Sequence, residues 1–159
     1  MIGLFGWEEV PAVTTNDVAT AWRAFAAELG YPVQAGARPA AVADLVARSA
    51  VLGGAPPPEF LDLLRDQNGG EVNGLRFFPA RSGRPTGGTE LPDLVEVNLD
   101  MRDGGGLAEH IVLGEGCICL RALHLPRRAF HELDRVSLDV IVVHPSFGAL
   151  MAAAMDAHR

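Results

Sequence analysis

The segment from Leu52 to Pro79, LGGAPPPEFLDLLRDQNGGEVNGLRFFP, sets a helix stop, a proline turn, a short amphipathic helix, a glycine stop and a strand in immediate succession. Gly53 and Gly54 end a preceding helix, because glycine takes the left-handed conformation at a helix C-terminus without a Cβ clash. Pro56, Pro57 and Pro58 fix an extended approach and put proline where a first helical turn needs no N–H. From Glu59 to Gln67, Phe60, Leu61, Leu63 and Leu64 form a broad apolar face, with Asp62, Arg65, Asp66 and Gln67 largely opposite. Asn68-Gly69-Gly70 stops that helix, and Leu75 to Phe78 suits a short strand.

The flanking sequence extends the pattern on both sides. Thr14-Thr15-Asn16-Asp17 offers N-cap chemistry, and Val18, Trp22, Phe25 and Leu29 recur at helical spacing until Gly30. Tyr31 to Arg38 reads as a connection, and Pro39 opens a second helix carrying Val42, Leu45 and Val46 as far as Leu52. Ala80 to Thr89 has the composition of an exposed loop. Leu94 to Asp100 alternates Val95, Val97 and Leu99 with Glu96, Asn98 and Asp100, which predicts a half-buried strand broken by Gly104-Gly105-Gly106. His110 to Leu113 and Cys117 to Leu123 read as a hairpin about Gly114-Glu115-Gly116. The stretch with Arg127, Arg128, Phe130 and Leu133 suits strand or helix, Val140 to Val143 is strand-like, and Ser146 caps a last helix whose Phe147, Leu150, Met151, Ala154 and Met155 share a face. Helices first, strands next and a helix last predict an α+β fold: N-terminal helices packed on a mostly antiparallel sheet with a closing C-terminal helix.

Leu52-Gly53, Pro56-Pro57, Phe60, Leu63-Leu64 and Asn68-Gly69 resemble the LG, LP and NG landmarks of the SUKH superfamily, which includes bacterial immunity proteins of polymorphic toxin systems and relatives of fungal cell-wall regulators. Ser146-Phe147 with Leu150 is similar to the superfamily's closing serine-phenylalanine helix start, so the resemblance spans Val42 to Arg159. Arg48-Ser49-Ala50 stands where a glutamate is usual, and Ala55 where leucine commonly precedes proline. The resemblance implies a single SUKH-like domain over residues 1–159, with 1–38 as an optional N-terminal helical extension. It also implies a non-enzymatic immunity protein that binds a cognate toxin and occludes its active site; a cytoplasmic location is expected separately, from the lack of a signal-peptide pattern and of a membrane-length apolar run. A scaffold or regulatory adaptor that binds a cellular partner without neutralising a toxin is the alternative. The landmarks are turns, stops and core contacts, so they speak to fold and leave function to analogy.

Charge narrows the partner. A formal net charge of −7 disfavours nucleic acid, whose binding depends on basic side chains displacing condensed counterions, and better matches a basic protein surface. Met1 to Trp7 is apolar but lacks a positive flank and runs into Glu8-Glu9, unlike a signal peptide, and no run reaches the roughly 20 apolar residues of a membrane span. Glu96, Asp100, Asp103, Glu109 and Glu115 fall on predicted strand edges and turns of the second half, where they are the candidate partner-binding set for a basic toxin groove. Arg76, Arg81 and Arg84 are further candidates from the exposed loop. The oligomeric state stays open.

No catalytic constellation emerges, and no cofactor or metal is expected. Cys117-x-Cys119 with His124 and His110 has the softness for zinc but lacks a second ligand pair at the usual spacing, so reduced thiols side by side on a sheet are expected. Asp103-Gly104-Gly105-Gly106 is not a phosphate loop, because the chain has no lysine for a Gly-Lys-Ser/Thr ending. His144-Pro145-Ser146 brings a histidine near a serine in sequence only, and the serine has a sufficient use as a helix cap. His110, His131 and His158 show no paired spacing and are expected at the surface or at sheet edges. Hydrolase chemistry would require His144 or His110 within hydrogen-bond reach of a nucleophile.

Overall fold

The computed structural model describes residues 15–81 and 90–159. Thr14, Met1 to Trp7, Arg84 and most of the expected loop from Ala80 to Thr89 therefore lie outside the described residues.

The expected helices form for the expected reasons. Helix α1 (Thr15–Glu28) closes with Gly30 at φ +76, Gly30 N–H donating to Ala27 and Tyr31 N–H to Ala26, the paired bonds of a left-handed C-terminal cap. Helix α2 (Pro39–Arg48) starts on proline, tightens into a 3-10 turn, Ser49–Leu52, and ends on Gly53 at φ +92. Helix α3 (Pro58–Asp66) buries Phe60, Leu63 and Leu64 and ends at Gln67. Asn68 then acts as a fastener: its backbone N–H donates to Ala35, and its side-chain carbonyl accepts from the Ala80 N–H at 2.8 Å.

Strands β1 (Gly70–Val72) and β2 (Leu75–Phe77) form a hairpin through Asn73 (φ +49) and Gly74 (φ +84), the two left-handed residues of a tight turn whose twist matches the strands. Strands β3 (His110–Glu115), β4 (Cys119–His124), β5 (Ala129–Asp134) and β6 (Val140–His144) complete a six-stranded antiparallel sheet in sequence order. The stretch after Pro126 thus resolves as strand. Helix α5 (Phe147–Ala157) begins as expected, with Ser146 Oγ accepting from the Ala149 N–H.

Two expectations fail. Leu94–Asp103 is a helix, α4, and not a strand. Asp93 caps it by accepting from the Glu96 N–H at 3.0 Å, and Leu94, Val95, Val97 and Asn98 are buried at helical spacing, whereas Leu99 of the supposed apolar strand face is exposed. The β3–β4 turn also lies further along than expected: β3 continues through Glu115, and Gly116 N–H bonds the Cys119 carbonyl around the turn. Cys117 consequently sits exposed in that turn, off the strand where it was expected beside Cys119, and both thiols are free.

One face of the sheet meets α1, α3 and α5. Phe77 takes Trp22 edge-on at 4.8 Å, Phe60 bridges Phe77 and Phe147, and Phe147 reaches Phe130. Trp22 and Phe25 of α1 are fully buried in this core. Helix α4 runs alongside β3 where β2 ends. There Asn98 stands in for a neighbouring strand, its Nδ2 donating to the Val112 carbonyl (2.9 Å) and its Oδ1 accepting the Val112 N–H (2.7 Å). No helix among the described residues is long and apolar enough to cross a membrane.

Candidate functional site

The candidate acidic set does not lie together on sheet edges. Glu96, Asp100 and Asp103 are on α4, spaced four and three residues apart, and so form an exposed stripe along that helix. Glu109 precedes β3 and stands 3.4 Å from His124. Glu115 is buried and neutralised inside the fold by Arg135 at 3.2 Å and Arg76 at 3.5 Å, which removes it from any partner-facing surface. Arg76 is committed to Glu115 and Glu71, and Arg81 to Asp44. For Glu96, Asp100 and Asp103 the helical state of 94–103 explains the difference, since alternation on a strand and i, i+4, i+7 spacing on a helix select different neighbours.

The longest run of exposed large apolar residues among the described residues is on β6. Last in the sheet, this strand pairs with β5, and no strand among the described residues lies along its other edge. Val140, Ile141, Val142 and Val143 are 49, 52, 38 and 58% exposed, so β-branched side chains are bare on both faces of the strand. Two usual protections against edge pairing, charge and proline, are absent from these four residues, and the one device within them is a register shift at Ile141, where pairing passes from Glu132–Val142 to Leu133–Val140. The opposite edge is managed differently. Strand β1 has three residues, with Gly70 and Val72 buried, and the turn beyond it is held by Asn73 Nδ2 donating to the His158 carbonyl.

Beside this edge lies a histidine cluster that the sequence reading missed. Strand pairing sets His110 directly opposite His124, and His131 opposite Ala122 on one side and Val143 of β6 on the other. Alternation then brings all three rings to one face of the sheet. His131 stacks on His124 at 4.8 Å, His110 lies 5.0 and 5.2 Å from the two, and His110 Nε2 meets His131 Nδ1 at 3.1 Å. Burial, with the neighbouring imidazoles adding to it, pushes the His110 pKa down to about 4, and burial also lowers that of His131. The expectation that His110 and His131 are unremarkable surface groups is thus replaced by a partly buried cluster. A turn centred at Cys117 would have revealed the His110–His124 pairing; one centred at Glu115 hid it.

Among the described residues no three His, Cys, Asp or Glu side chains are arranged to hold a metal ion. His144 Nε2 faces Glu132 at 3.8 Å, beyond hydrogen-bond range, and the Ser146 hydroxyl caps α5. Glu132 in turn lies 3.5 Å from Arg121, a buried guanidinium whose pKa burial lowers. A comparison with protein-family models and with curated proteins finds no match for this chain. The SUKH resemblance therefore rests on the quoted residues alone.

Proposed function

We propose that the chain is a non-enzymatic protein-binding domain, an immunity protein that neutralises a cognate toxin by occluding its active site. The observation that carries the protein-binding part is the bare β6 edge. Along the outer edge of β6, where no strand of the described residues pairs, four consecutive β-branched residues present apolar side chains beside backbone donors and acceptors, the combination that an extended segment of a partner completes by adding a strand. The exposed acidic stripe of α4 suits a basic partner, where opposite charge raises the encounter rate and discriminates between partners. The toxin assignment comes from the SUKH resemblance.

The test is first whether an adjacent gene encodes a secreted toxin, and then co-expression of this chain with that toxin domain. Protection of the cells and co-purification of a complex are expected for the unaltered chain. Loss of both is expected for Ile141→Lys/Val143→Lys, with unchanged circular dichroism. Continued killing beside the unaltered chain overturns the immunity assignment. Full protection by the folded double variant overturns the assignment to β6. A stable complex with a cellular protein, with no effect on the toxin, would instead identify an adaptor.

A further inference from the structure

We infer that His110, His124 and His131 form a proton-operated latch that holds the ends of β3, β4 and β5 together near neutral pH and releases them on acidification. The inference is independent of the protein-binding proposal.

The geometry sets the proton count. At 3.1 Å, His110 Nε2 and His131 Nδ1 share one hydrogen bond, which requires one nitrogen to carry a proton and the other to be bare. Adding a proton to the bare nitrogen turns an attraction into a clash of two donors. The third ring, His124, stacks on His131, so each further charge lies about 5 Å from the others.

The surroundings do not neutralise such charges. From the loop before β3, Glu109 faces His124 at 3.4 Å, but its carboxylate is 69% exposed and is a single counter-charge for three rings. From α4, Arg102 donates to the His110 carbonyl and adds positive charge, and the charge of Arg127 in the β4–β5 turn acts on His131. The ring atoms His110 Nδ1 and His124 Nδ1 are buried without a hydrogen-bond partner, so neither has a local acceptor for a second proton. Every further proton therefore adds repulsion at a place where three strand ends meet.

The sign follows from linkage. In the unfolded chain these histidines take up protons near pH 6.5, whereas in the fold His110 resists doing so until about pH 4. Between those values the unfolded state binds more protons. The latch is therefore closed above pH 6.5 and weakens as pH falls toward 4. After discounting for the partial exposure of the ring, the equilibrium for opening should rise on the order of a hundredfold across that window.

The test combines histidine ring titration by NMR with amide hydrogen exchange, corrected for intrinsic rates, on the full chain from pH 7.5 to 4. Expected are midpoints below 6 for His110 and His131. Exchange should rise in 108–112 and 122–131 before it rises in β1 and β2. His110→Gln should remove most of that local acid response, and His131→Gln serves if the first variant does not fold. Ordinary midpoints near 6.5 for all rings in the unaltered protein overturn the inference, as does acid-induced exchange spread evenly over the sheet or a full response in a folded variant.

Discussion

Asn98 makes the sharpest energetic test of how α4 is docked. It is 1% exposed, and its amide makes three hydrogen bonds: Nδ2 to the carbonyls of Leu94 (2.8 Å) and Val112 (2.9 Å), and Oδ1 from the Val112 N–H (2.7 Å). Val112 is also fully buried, so no solvent replaces the amide if it is removed. Leaving a buried backbone donor or acceptor unpaired costs about 1–3 kcal/mol per group. Asn98→Ala strips the Val112 N–H and C=O together, so a loss of about 3 kcal/mol is expected, partly relieved where the strand shifts. Asn98→Asp keeps the shape but turns Nδ2 into an oxygen facing two carbonyls. It should cost at least as much near pH 7 and recover part of the loss once acid protonates the new carboxyl. Asn98→Leu fills the volume without either bond and should resemble alanine, which separates hydrogen bonding from packing. The assay is urea unfolding followed by Trp22 fluorescence in a Trp7→Phe background, comparing midpoints at unchanged slope. A loss under about 1 kcal/mol for Asn98→Ala, or a leucine variant as stable as the unaltered protein, would refute the view that α4 is held to β3 by this amide.

Two further outcomes follow from the same structure. Gly114 occupies a β3 position where a Cβ would overlap the Arg76 carbonyl of the neighbouring strand, so Gly114→Ala should cost about 3 kcal/mol or prevent folding, read as the unfolding midpoint and soluble yield. Asp66 accepts two bonds from Arg23, which holds its carboxyl below the usual range. The stabilisation is present above the unfolded value near 3.8 and is lost as pH falls through the lower folded value, and Arg23→Gln should move the Asp66 midpoint upward in a carboxyl NMR titration.

Local signals were legible where a single residue type suffices. Gly30 and Gly53 stop helices because their φ is positive, proline opens α2 and α3, and Ser146 caps α5. The Asn73-Gly74 pair carries an equally local turn signal and would have found β1. The segment at Leu94 misled because its apolar residues fit both periods: Val95, Val97 and Leu99 alternate, while Leu94, Val95, Val97, Asn98 and Met101 fit a helix. Pro92-Asp93 before it, a helix start and cap signal, separates the two.

By itself, the sequence determined the α+β class and the helix boundaries set by glycine, proline and serine, since each depends on neighbours a few residues away. Only the tertiary structure decided which side chains are in contact and which are bare. Whether Val140 to Val143 are core or exposed edge depends on being last in the sheet, and whether Glu115 faces a partner depends on Arg76 and Arg135 closing over it. Whether three histidines form one charge-sensitive cluster depends on strand register, because a shift of one residue turns every side chain to the other face.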